Sequence, residues 1–134
     1  MKAALHISRL GQVAIPVTDL ARAEAFYRDV LGFKHLFTVA PASLAFFDCG
    51  GVRLMLDGNL RQGGKAATAS ILYFLVPDLK EADLKATFER LGAAGAKVSS
   101  PPHFTAKMPD HDLWMGFFED SEGNTLSLMA ELRG

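Results

Sequence analysis

The sequence VAIPVTDL at residues 13–20 returns in a related form, LYFLVPDL, at residues 72–79. In both copies a short apolar run with the character of a strand ends at an aspartate, and an amphipathic stretch with helical spacing follows. Asp19 and Asp78 are the predicted N-caps of the two helices, because a carboxylate there accepts hydrogen bonds from free backbone N–H groups. Each half of the chain is therefore predicted to begin with a strand and a helix.

The remainder of each half repeats as well. Gly32 and Gly92 are predicted to end the helices, since glycine tolerates the left-handed conformation that follows a helix. Residues 45–56 and 116–129 each contain two alternating apolar runs around a turn-forming stretch, which predicts a β-hairpin. One more strand is expected ahead of each hairpin, at residues 34–39 and 97–105.

This order predicts an α+β fold in which two paired βαβββ modules form curved mixed sheets around a cleft, with the helices outside. The modules span residues 7–57 and 71–131, and the polar, glycine-containing residues 58–70 form the linker. Neither module can bury enough apolar surface to be stable alone at that size. Residues 1–134 are therefore predicted to form a single domain built from two repeats.

The composition excludes several classes of partner. The chain carries 14 Lys+Arg and 15 Asp+Glu, so it has no basic excess for binding nucleic acid or an anionic membrane. Cys49 is the only cysteine, which fits a reducing compartment. The longest apolar run, residues 71–76, is far too short to span a membrane, and the N-terminus lacks the apolar core of a signal peptide. We therefore expect a soluble, cytoplasmic protein.

Several motifs resemble those of the vicinal oxygen chelate superfamily, which includes glyoxalases, bleomycin-resistance proteins, extradiol dioxygenases and methylmalonyl-CoA epimerases. In the first half the motifs are VTDL at residues 17–20, FY at 26–27 and LGF at 31–33, and in the second half FFEDSEGN at 117–124. The resemblance covers nearly the whole chain and implies the paired-module fold. It leaves the activity open, because this fold supports many functions.

In members of this superfamily a divalent metal lies between the sheets, bound by His or Gln, Glu or Gln, His, and Glu in chain order. The resemblance places these four ligands at Gln12, Met55, Ile71 and Ser127. Among them Gln12 alone is of a ligand type, and one neutral amide does not hold a divalent ion. We therefore expect no metal and no other cofactor.

Alternation along the strands predicts which side chains line the cleft. If Glu119 lies opposite Asn124 in the second hairpin, Trp114 shares the face of Ser127 and points inward. Trp114 would then form a stacking wall for a planar ligand, and the alternative is simple core packing. The predicted ligand-binding residues are Gln12, Phe47, Arg53, Met55, Ile71, Tyr73, Trp114, Ser127 and Met129.

Arg53 is the cation among these residues, and two alternatives remain open for it. It is either an ordinary solvated strand residue or an inward-facing group that pairs with a carboxylate. In the second case the carboxylate belongs to Asp57 or to a ligand. An apolar cleft with a few polar groups suits a small hydrophobic ligand that carries a polar or acidic group.

His103, His111 and Asp112 are the candidate catalytic residues, and they fall within one stretch, residues 101–113. A carboxylate can orient an imidazole, which would let either histidine act as a general base. Imidazole and carboxylate are also metal donors, so a relocated metal site is one alternative. Histidines that simply lie in a surface loop are the other.

The leading hypothesis is a small-molecule binding protein of the glyoxalase/bleomycin-resistance type. It has lost the usual metal site and binds an apolar or aromatic ligand in the inter-module cleft. The alternatives are a lyase, isomerase or dioxygenase acting at a nonstandard site, and a module with an empty cleft. A homodimer is expected because exposed sheet edges invite pairing, with the modules paired within a chain or swapped between chains.

Overall fold

The computed structural model describes residues 5, 9–60, 70–76 and 81–133 of the 134-residue chain. The predicted cap Asp78 and residues 61–69 of the predicted linker lie outside the described residues. Within the described ranges, no helix has the length and apolar character required to cross a membrane.

Two modules with the same order of elements make up the fold. The first module contains β1 (Gln12–Pro16), α1 (Leu20–Ala25), β2 (Lys34–Val39), β3 (Leu44–Cys49) and β4 (Val52–Asp57), and a π-helical turn (Phe26–Val30) continues α1. The second module contains β5 (Leu72–Leu75), α2 (Glu81–Ala93), β6 (Lys97–Lys107), β7 (Asp112–Glu119) and β8 (Thr125–Leu132).

Each module forms one four-stranded mixed sheet. The strand orders are β1-β4-β3-β2 and β5-β8-β7-β6, so the same topology occurs twice. The first strand of each module pairs in parallel with the last strand, and the remaining pairs are antiparallel. The predicted α+β fold of two βαβββ modules is therefore confirmed.

The first helix begins and ends as predicted. Oδ1 of Asp19 accepts a hydrogen bond from the backbone N–H of Arg22 at 3.0 Å, which confirms the N-cap. The helix then widens, and the N–H of Leu31 donates to the carbonyl of Phe26 at 3.0 Å, as expected for a π-helical turn. Gly32 follows with a φ of 76°, the left-handed conformation that ends the helix.

The predicted end of the second helix is wrong. Gly92 lies inside α2, which runs to Ala93, and Gly95 adopts the left-handed conformation with a φ of 103°. The N–H of Ala96 donates back to the carbonyl of Leu91 at 2.9 Å, which closes the helix. Leu91 and Ala96 are both buried in the core, so packing extends the helix past the first glycine.

The second hairpin differs from the predicted register by one residue. Glu119 pairs with Thr125 and not with Asn124, because residues 120–124 form a five-residue turn. A shift of one residue reverses the face on which every side chain of a strand lies. The predicted assignment of side chains to the inner face is therefore reversed on β7.

Two predicted ligand-binding residues, Trp114 on β7 and Phe47 on β3, lie on the helix-facing sides of their sheets, and their prediction is wrong. Trp114 faces α2, where Nζ of Lys85 lies 5.9 Å from the centre of its ring. Phe47 is fully buried, and its ring centroid lies 6.1 Å from that of Tyr27. Both aromatic side chains support the helices instead of lining a cleft.

The helix-facing sides of both sheets contribute to one hydrophobic core. Buried side chains from the two modules join in a single cluster, so the modules are packed together and do not form separate cores. Its members include Tyr27, Phe47, Leu54, Phe88, Leu91, Phe118 and Leu126.

A turn of the second module binds the first module at the start of α1. The side chain of Glu122 is completely buried, and its Oε1 accepts hydrogen bonds from the backbone N–H groups of Thr18 and Asp19, both at 2.8 Å. Nε of Arg22 donates to Oε2 at 2.8 Å. One carboxylate therefore satisfies free N–H groups of the helix start and pairs with a helix cation.

The same turn makes two further contacts with the first module. Oδ2 of Asp120 accepts a hydrogen bond from the hydroxyl of Tyr27 at 2.7 Å. Burial, followed by the charge of Asp120, raises the pKa of Tyr27 well above its usual value, so the hydroxyl remains a donor. Nδ2 of Asn124 donates to the carbonyl of Pro16 at 2.8 Å, which ties the turn to the end of β1.

The Glu122 carboxylate contributes stability that depends on pH. Burial raises its pKa, but hydrogen bonds from Arg22, from Ser121 and from two backbone N–H groups outweigh burial and lower the pKa from 4.5 to about 2. Because the folded state has the lower pKa, the stabilisation is complete above pH 4.5 and is lost as the pH falls towards about 2.

We predict that Glu122→Gln lowers the free energy of unfolding at neutral pH by up to about 3 kcal/mol, since each pKa unit corresponds to about 1.4 kcal/mol. Urea unfolding at neutral pH and at pH about 3 measures this, and the difference from the wild type should shrink in acid. Glu119→Gln is the matched control, because Glu119 pairs with the exposed Lys97 at 3.5 Å. Equal unfolding midpoints for Glu122→Gln and the wild type at neutral pH would contradict the prediction.

Candidate functional site

A cavity of about 390 Å³ lies where the two modules meet, between β1 and β5. Residues 13–16 of the first module form one wall, and residues 71–72 and 123–126 of the second module, with Ser70 just before it, form the others. Most of the side chains in these walls are apolar, and Asn124 and Thr125 are among the polar ones. This volume and composition are typical of pockets that hold small molecules.

The structure distributes the other predicted ligand-binding residues over the two faces that point away from the helices, here called the open faces. Ile71 lines the cavity itself, immediately before β5. The open face of the first sheet carries Gln12, Arg53 and Met55. The open face of the second sheet carries Tyr73, Ser127 and Met129.

A connected group of side chains occupies the open face of the first sheet. Nε of Arg53 donates a hydrogen bond to Oε1 of Gln12 at 2.9 Å, and Nε2 of Gln12 lies 3.7 Å from the sulfur of Met55. The guanidinium of Arg53 also lies 5.7 Å from the centre of the Phe46 ring. That ring stacks on Phe37 with a centroid distance of 4.5 Å.

Asp57 is not the partner of Arg53, although the sequence left that pairing open. Oδ1 of Asp57 accepts hydrogen bonds from the backbone N–H of Asn59 at 2.8 Å and from its side-chain amide at 3.0 Å. Asp57 is also nearly buried, whereas Arg53 is exposed. The sequence analysis named Asp57 or a ligand as the source of a carboxylate for Arg53. With Asp57 bound elsewhere, a ligand is the remaining source.

Phe46 and Phe117 are open-face residues that the sequence analysis missed. Phe117 pairs with Ser127, and its ring meets that of Tyr73 edge-on at 5.8 Å. Both phenylalanines belong to Phe-Phe pairs, so the error of one residue in register selected the wrong member of each pair. The turn EDSEGNT gave no signal that could have separated them, because its sequence is as compatible with a five-residue connection as with a four-residue one.

The residues at the four superfamily metal positions do not fit a divalent metal. They supply an amide, a thioether, an alkyl group and a hydroxyl, at Gln12, Met55, Ile71 and Ser127. The amide oxygen of Gln12 already accepts from the Arg53 cation, and the buried Ser127 hydroxyl donates to the carbonyl of Gly116 at 2.8 Å. Across the described part of the chain, no three His, Cys, Asp or Glu side chains form a group that could hold a metal ion.

The candidate catalytic residues make separate contacts. Nδ1 of His103 lies 2.9 Å from the carbonyl of Pro101, and Oδ1 of Asp112 accepts from Nζ of Lys107 at 3.3 Å. The prediction that Asp112 orients a histidine is therefore wrong. These residues do not assemble into a general-base pair.

His111 is held by two other carboxylates. Its Nδ1 lies 2.7 Å from Oδ1 of Asp110, and its Nε2 lies 3.7 Å from Oε2 of Glu131. Since each ring nitrogen faces a carboxylate of the protein, His111 is placed as part of a surface charge network. Arg133 belongs to the same network through both acidic residues.

The sequence model of the Glyoxalase/Bleomycin resistance protein/Dioxygenase superfamily matches residues 9–128. The chain belongs to this superfamily. A glyoxylase-like domain-containing protein from Didymella fabae is 28% identical over 125 residues, which cover 90% of this chain and 91% of that protein. A catechol-2,3-dioxygenase from Bacillus subtilis strain 168 is 30% identical over 116 residues, which cover 81% of this chain but 40% of that protein.

The fold is also shared with solved structures of the superfamily. The lactoylglutathione lyase from Agrobacterium tumefaciens superposes with a TM-score of 0.65 at 23% identity, and the alignment covers 92% of this chain and 94% of that one. At this level of identity the likeness establishes the fold. Superfamily membership would imply metal ligands at the four positions named above. The side chains that this chain carries there differ from that pattern.

We predict that the protein does not retain the divalent metals typical of the superfamily, because the side chains at the four ligand positions are poor donors. The protein is incubated with Zn²⁺, Ni²⁺, Mn²⁺ or Fe²⁺, dialysed, and analysed for metal content, with well under one equivalent expected per chain. One equivalent that survives dialysis and disappears in Gln12→Ala would contradict the prediction.

Proposed function

We propose that this protein binds a small apolar or aromatic molecule at the junction of its two modules, without a metal. The observation that carries the proposal is the cavity of about 390 Å³ between β1 and β5, whose walls come from both modules. The metal positions of the superfamily hold side chains that are poor metal ligands, so chemistry that depends on a bound metal has no support from these residues.

The polar groups at the cavity are held firmly and suit a binding site. The side-chain amide of Asn124 donates to the carbonyl of Pro16 at 2.8 Å and to Oδ2 of Asp120 at 2.9 Å. Because these hydrogen bonds already fix the rotamer of Asn124, this side chain loses little conformational entropy when a ligand binds. Apolar neighbours such as Ala14 and Ile71 supply the surface that favours an apolar ligand.

The open faces support a homodimer as part of this proposal. Phe37, Tyr73 and Leu75 keep 46%, 47% and 54% of their surface exposed. Tyr73 and Leu75 are neighbours on one face of β5, and adjoining exposed apolar side chains are typical of surfaces that bind a ligand or another protein. A second copy of the chain, paired directly or with exchanged modules, would remove this apolar surface from water.

The alternative of a lyase, isomerase or dioxygenase at a nonstandard site has weaker support. The relatives include a protein named as a dioxygenase, but this chain spans 40% of its length. Within this chain, His103, His111 and Asp112 are each bound to different neighbours and do not converge on the cavity. We therefore retain binding as the proposed function.

A cavity-filling substitution tests the proposal. Ala14 lies on β1, is partly exposed and lines the cavity, so Ala14→Leu places three more carbon atoms inside it. We predict that 2-naphthol, a neutral planar probe, binds the wild type saturably and binds Ala14→Leu at least about tenfold more weakly, a loss of about 1.4 kcal/mol.

Amide NMR spectra recorded during the titration locate the probe, with the shifts expected at residues 13–16, 70–72 and 123–126. Ala106→Leu is the matched control, because Ala106 lies on the edge strand β6 and outside the cavity walls. Shifts concentrated elsewhere, or equal affinity in wild type and Ala14→Leu, would contradict the proposal.

A further inference from the structure

The guanidinium of Arg53 is held in a defined orientation on the open face of the first sheet. Its Nε donates to Gln12 at 2.9 Å, and its Cζ lies over the ring of Phe46, 5.7 Å from the ring centre. Phe46 is itself stacked on Phe37. Arginine side chains normally lose much rotamer freedom on binding a ligand, and here these contacts already restrict it.

Among the described residues, no carboxylate neutralises this guanidinium. Asp57 is bound to Asn59, as described above. Asp48 lies directly opposite Arg53 on β3, but its Oδ1 accepts a hydrogen bond from the N–H of Gly51 at 3.3 Å, and it forms no ion pair with Arg53. The terminal N–H groups of Arg53 are therefore available to an external acceptor.

Other charges around Arg53 make this end of the sheet positive. Lys34 lies opposite Asp48 in the register of β2 and β3, so its side chain is on the same face of the sheet. Arg9 reaches the adjacent turn, where its Nη1 donates to the carbonyl of Gly51 at 2.9 Å. Arg53, Lys34 and Arg9 therefore place three cations beside the single carboxylate of Asp48 at this end of β3 and β4, which favours binding of an anion.

The Arg53 group adjoins the first-module wall of the cavity along β1. Gln12 directly precedes the cavity wall on β1, and Ala14 is the next residue along β1 on the same face. Ala14 in turn pairs with Met55, whose sulfur contacts the Gln12 amide. A ligand whose apolar part fills the cavity beside Ala14 would therefore extend towards Arg53.

We infer that Arg53 is the anion-binding residue of this site and that the ligand is a small carboxylate with a planar, apolar body. The inference rests on the binding function proposed above and names its ligand class. The fork of terminal N–H groups on Arg53 matches the two oxygens of a carboxylate. The stacked rings of Phe37 and Phe46 lie on the same open face as Arg53 and offer flat apolar surface there.

A matched pair of probes tests the inference. 2-Naphthoate and 2-naphthamide share the same ring system and differ in charge, so their affinities isolate the contribution of the carboxylate. We expect the wild type to bind naphthoate at least about tenfold more tightly than naphthamide, as charge-assisted hydrogen bonds are stronger than neutral ones. Arg53→Gln should abolish this preference, because it weakens the binding of naphthoate at least about tenfold more than the binding of naphthamide. Calorimetry measures both affinities, and the urea midpoint confirms that the variant is folded.

Arg90→Gln is the matched control, because Arg90 is an exposed arginine on α2, on the helix side of the second sheet. It should leave the naphthoate preference intact. If naphthamide binds at the junction but naphthoate binds no more tightly, the Arg53 inference is overturned while the proposed function stands. A preference for naphthoate that persists in Arg53→Gln also overturns the inference. If neither probe binds at the junction, the proposed function itself is overturned.

Discussion

The buried carboxylate of Glu122 is the interaction on which the arrangement of the two modules depends. One oxygen accepts from the backbone N–H groups that open α1, and the other binds Arg22. Asp120 and Asn124 bind the first module from the same turn. Because this turn and β1 are also walls of the cavity, the contact that joins the modules also sets the shape of the proposed binding site.

The residues that hold the fold together are different from those that occupy the superfamily metal positions. The turn, the start of α1 and the Tyr27–Asp120 pair lie on the helix side, whereas Gln12 and Met55 lie on the open face. The hydrogen bonds of Gln12 and Ser127 are satisfied within the chain, and none of the contacts that join the modules requires a metal. The contacts that hold this fold together are therefore separate from the positions at which the superfamily binds its metal.

Features that depend on near neighbours were predictable from the sequence. The Asp19 cap involves residues that lie within one turn of the helix, and the helix end at Gly32 depends on the backbone of that glycine. Residue type alone therefore identifies both features. The end of α2 was not predictable in this way, because two glycines were available and core packing selected Gly95. The contact of His111 with Glu131 also escaped prediction, since the two residues are 20 positions apart in the sequence and are brought together by the pairing of β7 with β8.

The sequence by itself determined the repeat, the order of strands and helices, and the α+β class, because hydrophobic periodicity and turn residues are local signals. Only the tertiary structure decided which side chains share a face and where the cavity lies. A difference of one residue in the length of the turn at 120–124 moves every side chain of β7 to the opposite face of the sheet. Likewise, Arg22 and Glu122 are separated by 100 residues, and their pairing depends on how the two modules meet.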